Sequence, residues 1–266
     1  MALRQFFAYV TRTPSGETGR WDNPQKTKAI RPCTVRTYYV HLRPFFNWMV
    51  EEELIGASPI DSVPTPKARS EQIKPFTETQ VANLLNAARK TVHPKRDEAI
   101  VSFLLDTGVR ASELCGLCMS DLDLNAKCCV VLGKGNRHRT VYFGRSTAKL
   151  LWNYLKEAND RQPTTPVFLS DRGTRSGDPL TRSGLLQLVE RLGTAAKVEV
   201  TRCSPHTFRH TFAISFLRNG GNVFSLQQLL GHTDLKMTNK YVALAQADIE
   251  NQHRQFSPVD RIRRAK

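Results

Sequence analysis

Long apolar runs are missing from this chain. Nothing in its 266 residues approaches the ~18–20 consecutive apolar positions that a membrane-spanning helix requires, and no apolar segment precedes a small-residue cleavage site near the start. The expectation is a soluble protein with no membrane partner. Acidic residues are also scarce, 24 Asp and Glu against 39 Lys and Arg, which leaves a formal net charge of +15 and a pI near 9.9. A surplus of that size favours a polyanionic partner. A basic surface kept only for solubility is the alternative, and composition alone does not choose between them. Internal repeats and low-complexity tracts are absent, which excludes a solenoid and a disordered tail-like chain. With 40% apolar residues the length suits one or two ordinary cores.

Cysteines are few, six in all. Cys115 and Cys118 have C-x-x-C spacing and Cys128-Cys129 follow, so a zinc site can be drawn on paper. Against it, Cys115 falls in an apolar helical stretch, and adjacent residues of an extended segment point to opposite faces. Free thiols in a reducing cytoplasm are the expectation, with no metal and no cofactor.

The chain reads as two domains. Leu3 to Val10 resembles the end of a helix, and residues 11–32 have the Pro, Gly, Ser and Asn content of a loop. Val35, Leu42, Phe45, Phe46 and Met49 recur at helical spacing over 33–54, where Pro44 should kink the helix. Residues 56–76 hold Pro59, Pro64, Pro66 and Pro75 beside Lys67, Arg69 and Lys74, the composition of an extended basic linker. Residues 1–70 thus form a helical N-terminal domain and 77–266 a second domain. Thr77-Glu78-Thr79-Gln80 is a capping box that opens the latter. A helix over about 96–106 should stop at Gly108, a left-handed cap. The period then shifts: Cys129 to Leu132 and Arg139 to Phe143 flank Gly-Lys-Gly-Asn, a hairpin with Lys134 at its tip. Helical patterns follow near 146–158, 181–196, 204–219, 223–230 and 235–246, with a short strand at Val167-Phe168-Leu169. The fold class is mainly α with a small antiparallel β-sheet.

One ordered series carries chemistry: Arg110, Lys134, His206, Arg209, His232, Tyr241. A phosphodiester exchange needs a nucleophile, neutralisation of the non-bridging oxygens and a proton for the leaving oxygen. Arg110 and Arg209 offer planar forks that match phosphate and never lose their charge near neutrality. Ser204 and Pro205 read as N-cap and first helical residue, which puts His206 and Arg209 on one face of a helix start. A phenol such as Tyr241 ionises near pH 10, so on the order of one in a thousand is anionic at pH 7 without help. Taken singly, each of these residues is more often a surface or packing residue. Together they fill every role. Asp121 and Asp123 could suggest a metal-dependent nuclease, but no third carboxylate converges with them by spacing, and capping is the plainer use.

The settings Thr107-Gly108-Val109-Arg110-Ala111-Ser112-Glu113-Leu114, Gly133-Lys134-Gly135, His206-Thr207-Phe208-Arg209-His210 and Leu230-Gly231-His232, with Tyr241 beyond, resemble those of the tyrosine recombinases, the phage integrases and Xer-type recombinases. The likeness extends over about residues 33–245. It implies a helical domain that grips DNA, joined to a mixed α+β catalytic domain, the two clamping the duplex from opposite sides. It implies a site-specific recombinase or integrase that cuts through a 3′-phosphotyrosyl link, without metal or ATP, as a homotetramer on double-stranded DNA in a prokaryotic cytoplasm, serving for instance a mobile element. Tyr241 would be the nucleophile, Lys134 the acid for the 5′ oxygen, and His206 and His232 neighbours of the phosphate, with Glu113 in support. His210 and His138 match no such position and read as packing or surface residues. Residues 248–266, where Ile249, His253 and Phe256 recur at helical spacing, would be the assembly segment. The family's first helix is longer, so further N-terminal residues are expected. Many Xer-like members have histidine two residues past the nucleophile, where this chain has Ala243. Arg36, Arg43 and Asn47 lie on one helical stripe and, with Lys67 and Arg69, are candidate DNA contacts. A type IB topoisomerase uses a similar constellation to relax DNA. A DNA-binding regulator without catalysis is the reading from another class, and occupation of all six roles opposes it.

Overall fold

The computed structural model describes residues 2–14, 19–21, 23–67, 74–133, 135–156, 162–170, 177–198, 201–232, 237–239, 241–242, 257 and 259. Lys134, Arg69, Ala243 and the stripe Ile249, His253 and Phe256 lie outside these residues. The chain forms two compact units, Met1–Gln72 and Ile73–Lys266. Among the described residues, no helix is long and apolar enough to cross a membrane.

In the first unit, helices α1 (Ala2–Thr11) and α2 (Pro32–Glu51) bury Phe7, Val10, Val35 and Tyr39 against each other. Ile60 and Val63 complete this core, fully or almost fully buried. The linker expected over 56–76 is therefore shorter: its first half folds back onto α1 and α2. Two isolated apolar residues in a turn have no period by which they could be recognised. Arg20 anchors the intervening loop by donating to the carbonyls of Tyr9 and Arg12. Helix α2 runs unbroken through Pro44. Pro44 has no N–H to offer the carbonyl of Val40 one turn earlier, and Val40 is on the exposed face of the helix.

The second unit is built around α4 (Pro94–Thr107). Ala99, Ile100, Val101, Phe103 and Leu104 are inaccessible to solvent, so this helix is apolar on nearly every side and takes neighbours all round. Those neighbours are α3 (Glu78–Ala88), α6 (Arg145–Leu155) and α8 (Pro205–Arg218). The capping box at Thr77 is formed, with Gln80 donating its backbone N–H to the threonine hydroxyl. Just before it, Phe76 packs edge-on against Phe208 and donates its N–H to Thr211. A short helix α5 (Ala111–Cys115) leads to a three-stranded antiparallel sheet in the order β1 (Leu122–Asp123), β2 (Cys128–Leu132) and β3 (His138–Tyr142). Alternation puts Cys129 and Val131 inside and leaves Cys128 and Val130 outward. All six cysteines are unpaired thiols. Asp121 and Asp123 accept bonds from nearby backbone N–H groups, the capping use expected of them. Helices α7 (Arg182–Ala195) and α9 (Val223–Leu230) complete the described α-helices of the unit, apart from helical residues at 237–239, 241–242 and 259, and a 3-10 turn spans Met119–Asp121.

The strand expected at Val167–Leu169 is not part of the sheet. The segment instead makes separate bridges, Cys118 with Pro166 and Leu169 with Pro179, because Pro166 and Pro179 cannot donate to a continuous ladder.

Two helices stop on glycines in the left-handed conformation, α4 at Gly108 (φ 60°) and α9 at Gly231 (φ 63°). A Cβ on Gly108 would lie 2.3 Å from Phe212 Cδ1, whereas one on Gly135, also left-handed at φ 77°, would meet nothing within 4 Å. Gly108→Ala should therefore lose roughly 2–3 kcal/mol of stability, and Gly135→Ala only the backbone part, about 1 kcal/mol. Urea unfolding measures both, and equal losses would contradict the packing argument.

Candidate functional site

Gly108 turns the chain out of α4 and into extended Arg110, the N-cap residue of α5. Glu113 then folds back on it. Its Oε2 accepts the Arg110 backbone N–H at 2.7 Å and its Oε1 the Arg110 guanidinium at 2.8 Å. Arg139 donates to the same carboxylate through both Nη atoms, at 2.6 and 2.7 Å. Two cations and an amide thus share one carboxylate, which is 3% exposed. Burial alone would raise its pKa, but the bonds from Arg139 and Arg110 win and hold it at about 2.

Helix α9 supplies the other anchors. Its last two carbonyls and that of its C-cap each accept from a different arginine: Leu229 from Arg139 at 2.8 Å, Leu230 from Arg209 at 2.6 Å, and Gly231 from Arg110 at 3.4 Å. Those carbonyls lack partners within the helix and lie at its negative end. Arg209 also donates to the carbonyl of Gly108 at 2.8 Å, so it bridges the C-termini of α4 and α9. Burial, then the charge of Arg110, lowers its pKa to about 10, which still leaves it charged at neutral pH. Arg110 remains 33% exposed at its side chain, the accessible member of the group.

His232 follows Gly231 and meets Arg209 Nη2 through Nε2 at 3.1 Å and Thr238 Oγ1 through Nδ1 at 3.0 Å. Guanidinium nitrogens only donate, so Nε2 accepts and the ring proton sits on Nδ1, donated to Thr238. Burial, then Arg209 and Arg110, pushes the pKa of His232 down to about 4. Tyr241 is buried on Ala213, Ile214, Leu217, Leu226 and Leu230, with its ring parallel to that of His232 at 6.1 Å. Burial raises its pKa, while Arg209 and Arg110 pull the other way. His206, exposed on the first turn of α8, touches His210, and His210 touches Tyr241. Burial, then Arg209, lowers the pKa of His206. The structure therefore brings together Arg110, Glu113, Arg209, His232 and Tyr241, with His206 joined through His210. Lys134 lies outside the described residues, but Gly133 beside it is against the cluster: a Cβ there would be 3.5 Å from Arg139 Nη1 and 3.6 Å from Glu113 Oε1. In the first unit, Arg36, Arg43 and Asn47 are exposed along α2, and Lys67 is exposed.

Sequence reasoning missed Arg139 and set His210 aside. Arg139 shares the inward face of β3 with fully buried Val141, and a charged residue at an inward strand position signals a partner. His210 is one helical turn from His206, a spacing that puts the two in contact.

The profile of the phage integrase family matches residues 74–248. Tyrosine recombinase XerD of Listeria monocytogenes serovar 1/2a is 31% identical over 233 residues, covering 85% of this chain and 77% of that protein. A crystal structure of XerA recombinase superimposes with a TM-score of 0.60 at 27% identity, over 96% of this chain and 89% of that one. A structure of the Tn1549 transposon integrase in complex with a circular intermediate DNA gives a TM-score of 0.68 at 21% identity, over 86% and 82% of the two chains, and shares the fold.

Glu113 makes acid stability a measurable property of the site. Its folded pKa, about 2, lies below the ordinary 4.5, so the stability it contributes is complete above about pH 4.5 and is lost as pH falls through the folded value. The gap corresponds to on the order of 3 kcal/mol. Urea unfolding at about pH 5 and about pH 2.5 should show a steeper acid loss for the native protein than for Glu113→Gln. Equal slopes would remove the carboxylate from this role.

Proposed function

The chain belongs to the phage integrase family and is a tyrosine-type site-specific DNA recombinase, and from that premise we propose that Tyr241 cuts DNA through a 3′-phosphotyrosyl intermediate at the cluster of Arg110, Arg209 and His232. The observation that carries this reading is the charge balance: three guanidiniums converge where one buried carboxylate answers them. The surplus suits an anion, and two planar forks suit a phosphate.

In the proposed reaction the Tyr241 oxygen attacks phosphorus and the bond to the 5′ oxygen breaks. The phenolic proton is lost, and the departing oxygen takes a proton from Lys134 on the hairpin tip to become a free 5′ hydroxyl. Arg110 and Arg209 hold the non-bridging oxygens, and His206 and His232 flank them. Attack by the 5′ hydroxyl of a partner strand reverses the chemistry and releases the tyrosine. The covalent link stores the energy of the broken bond, so ATP is not required. The guanidinium pair supplies the charge that a metal would otherwise bring. Tyr241 packs on α8 and α9 of its own chain, which favours a nucleophile acting beside the arginines of the same subunit. Glu113 supports the site and does not react.

Double-stranded DNA bearing specific recombination sites is the proposed partner. The DNA complex of the Tn1549 integrase relative and the charge of +15 both support it. Exposure of Arg36, Arg43, Asn47 and Lys67 suits contacts to a duplex, with Arg69 beside them in sequence. The working form is proposed to be a homotetramer across two sites, joined through residues 248–266, in the cytoplasm of a cell whose mobile element or chromosome it serves.

A nicked suicide duplex that traps the covalent link tests the reading. Tyr241→Phe should abolish the adduct while duplex affinity stays nearly unchanged, because only a hydroxyl is lost. Native protein should form the adduct in EDTA without nucleotide. An adduct that survives in the phenylalanine variant, mapped by peptide mass, would reassign the nucleophile. Arg209→Lys should cleave on the order of a hundredfold more slowly, since an ammonium cannot reproduce a two-pronged contact. Near-native cleavage by that variant would take Arg209 out of the phosphate site.

A further inference from the structure

His210 has no part in the reaction above, yet it stands between two residues that do. Its Nε2 lies 2.9 Å from Nε2 of His206, with the rings nearly perpendicular at 76°. On its other side, its ring centroid is 5.1 Å from that of Tyr241. Its remaining nitrogen, Nδ1, is buried without a hydrogen-bond partner among the described residues.

Two imidazoles that meet through the same nitrogen cannot both donate. One carries a proton at Nε2 and the other offers a lone pair there. Burial, then the charge of His206 and Arg209, lowers the pKa of His210 to about 4, and His206 is also lowered, so each ring holds one proton near neutral pH. Two arrangements satisfy that count. If His206 donates, the proton of His210 is on Nδ1, and a buried N–H is left with no acceptor. If His210 donates, its Nδ1 is only a bare lone pair. Orphaned buried donors are the rarer of the two in folded proteins. The second arrangement therefore prevails, and it fixes His206: Nε2 accepts, and the proton sits on Nδ1.

We propose that His210 is a positioning residue, whose Nε2–H bond to His206 selects the tautomer in which His206 offers Nδ1–H as a donor to a phosphoryl oxygen and cannot serve as a base toward Tyr241. This rests on the placement of His206 beside the phosphate in the preceding section. The ring of His210 also buttresses Tyr241, so one side chain sets both the donor and the seat of the nucleophile.

The tautomer is directly observable. In native protein labelled with 15N-histidine, the ring nitrogens of His206 should show the Nδ1–H pattern at about pH 7.5, and an Nε2–H pattern would overturn the proposal without any substitution. Single-turnover cleavage of the suicide duplex supplies the functional arm. His210→Gln keeps an N–H donor near the Nε2 position and should cleave within about threefold of native. His210→Phe keeps the bulk against Tyr241 but not the donor and should lose roughly tenfold to a hundredfold, the scale on which orienting bonds to functional histidines act. That loss should vanish when His206→Ala is already present. Equal defects in the glutamine and phenylalanine variants, or a loss that persists beside His206→Ala, would overturn the positioning role. Native-like cleavage by His206→Ala alone would instead remove His206 from the phosphate, a failure of the earlier reading that takes this proposal with it.

Discussion

One buried carboxylate makes the rest of this site possible. Arg110 and Arg139 would repel each other if brought together unaided. At an effective dielectric of about 20, two unit charges about 5 Å apart cost roughly 3 kcal/mol. Glu113 takes both guanidiniums and a backbone amide on its two oxygens. It is thereby held ionised in a place where burial alone would favour its neutral form. Its charge answers only one of the arginines. The remainder is carried by backbone dipoles, which stabilise a cation without cancelling it, and the pKa of Arg209 is lowered by its burial first and by the charge of Arg110 second. An anion would balance such a surplus.

Those dipoles are aimed by two glycines. Gly108 and Gly231 end α4 and α9 in the left-handed conformation, and Arg209 reaches from α8 to a carbonyl at each end. A Cβ on Gly231 would lie 3.1 Å from Arg139 Cδ, so a larger residue there would have to push the arginine side chain aside by a few tenths of an ångström. The arginine geometry is thus set by helix ends on a buried core rather than by flexible loops. Fixed dipoles of this kind need no reorganisation when charge develops on a ligand, which is the condition under which electrostatic stabilisation is most effective.

How much of this could be read beforehand divides along a physical line. Side chains that belong to local patterns were legible: the capping box at Thr77, the stop at Gly108, the hairpin on either side of Lys134, and Ser204-Pro205 opening α8 all depend on neighbours a few residues away. Backbone acceptors were not, because the carbonyls of Leu229, Leu230 and Gly231 carry no mark in a sequence. Arg139 is distant in the chain from Leu229 and from Glu113, so only its inward strand position hinted at a partner. The His206–His210 contact was within reach of helical spacing and was passed over because it matched no family position. Ile60 and Val63 looked like linker since a pair of apolar residues in a turn has no period to detect.

The state of Tyr241 ties the electrostatics to the proposed chemistry. Burial raises its pKa, and the pull of Arg209 and Arg110 does not overcome it, so the phenol is neutral before DNA arrives. A phosphate seated on those arginines would weaken their pull further, which makes ionisation in advance harder still. In the proposed reaction the proton must then leave as the oxygen attacks. His232 is not its acceptor in this arrangement, for its ring lies parallel to the phenol at 6.1 Å and its Nε2 already accepts from Arg209. His206 is closed to that role as well if the Nε2–H of His210 holds the His206 proton on the His206 Nδ1. That leaves as acceptors the phosphate oxygens, solvent entering with the DNA, or His210, whose Nδ1 has no partner among the described residues and whose ring is 5.1 Å from that of Tyr241. In the proposed reaction the guanidiniums then act chiefly on the phosphorane, and the tyrosine stays unreactive until a phosphate is in place.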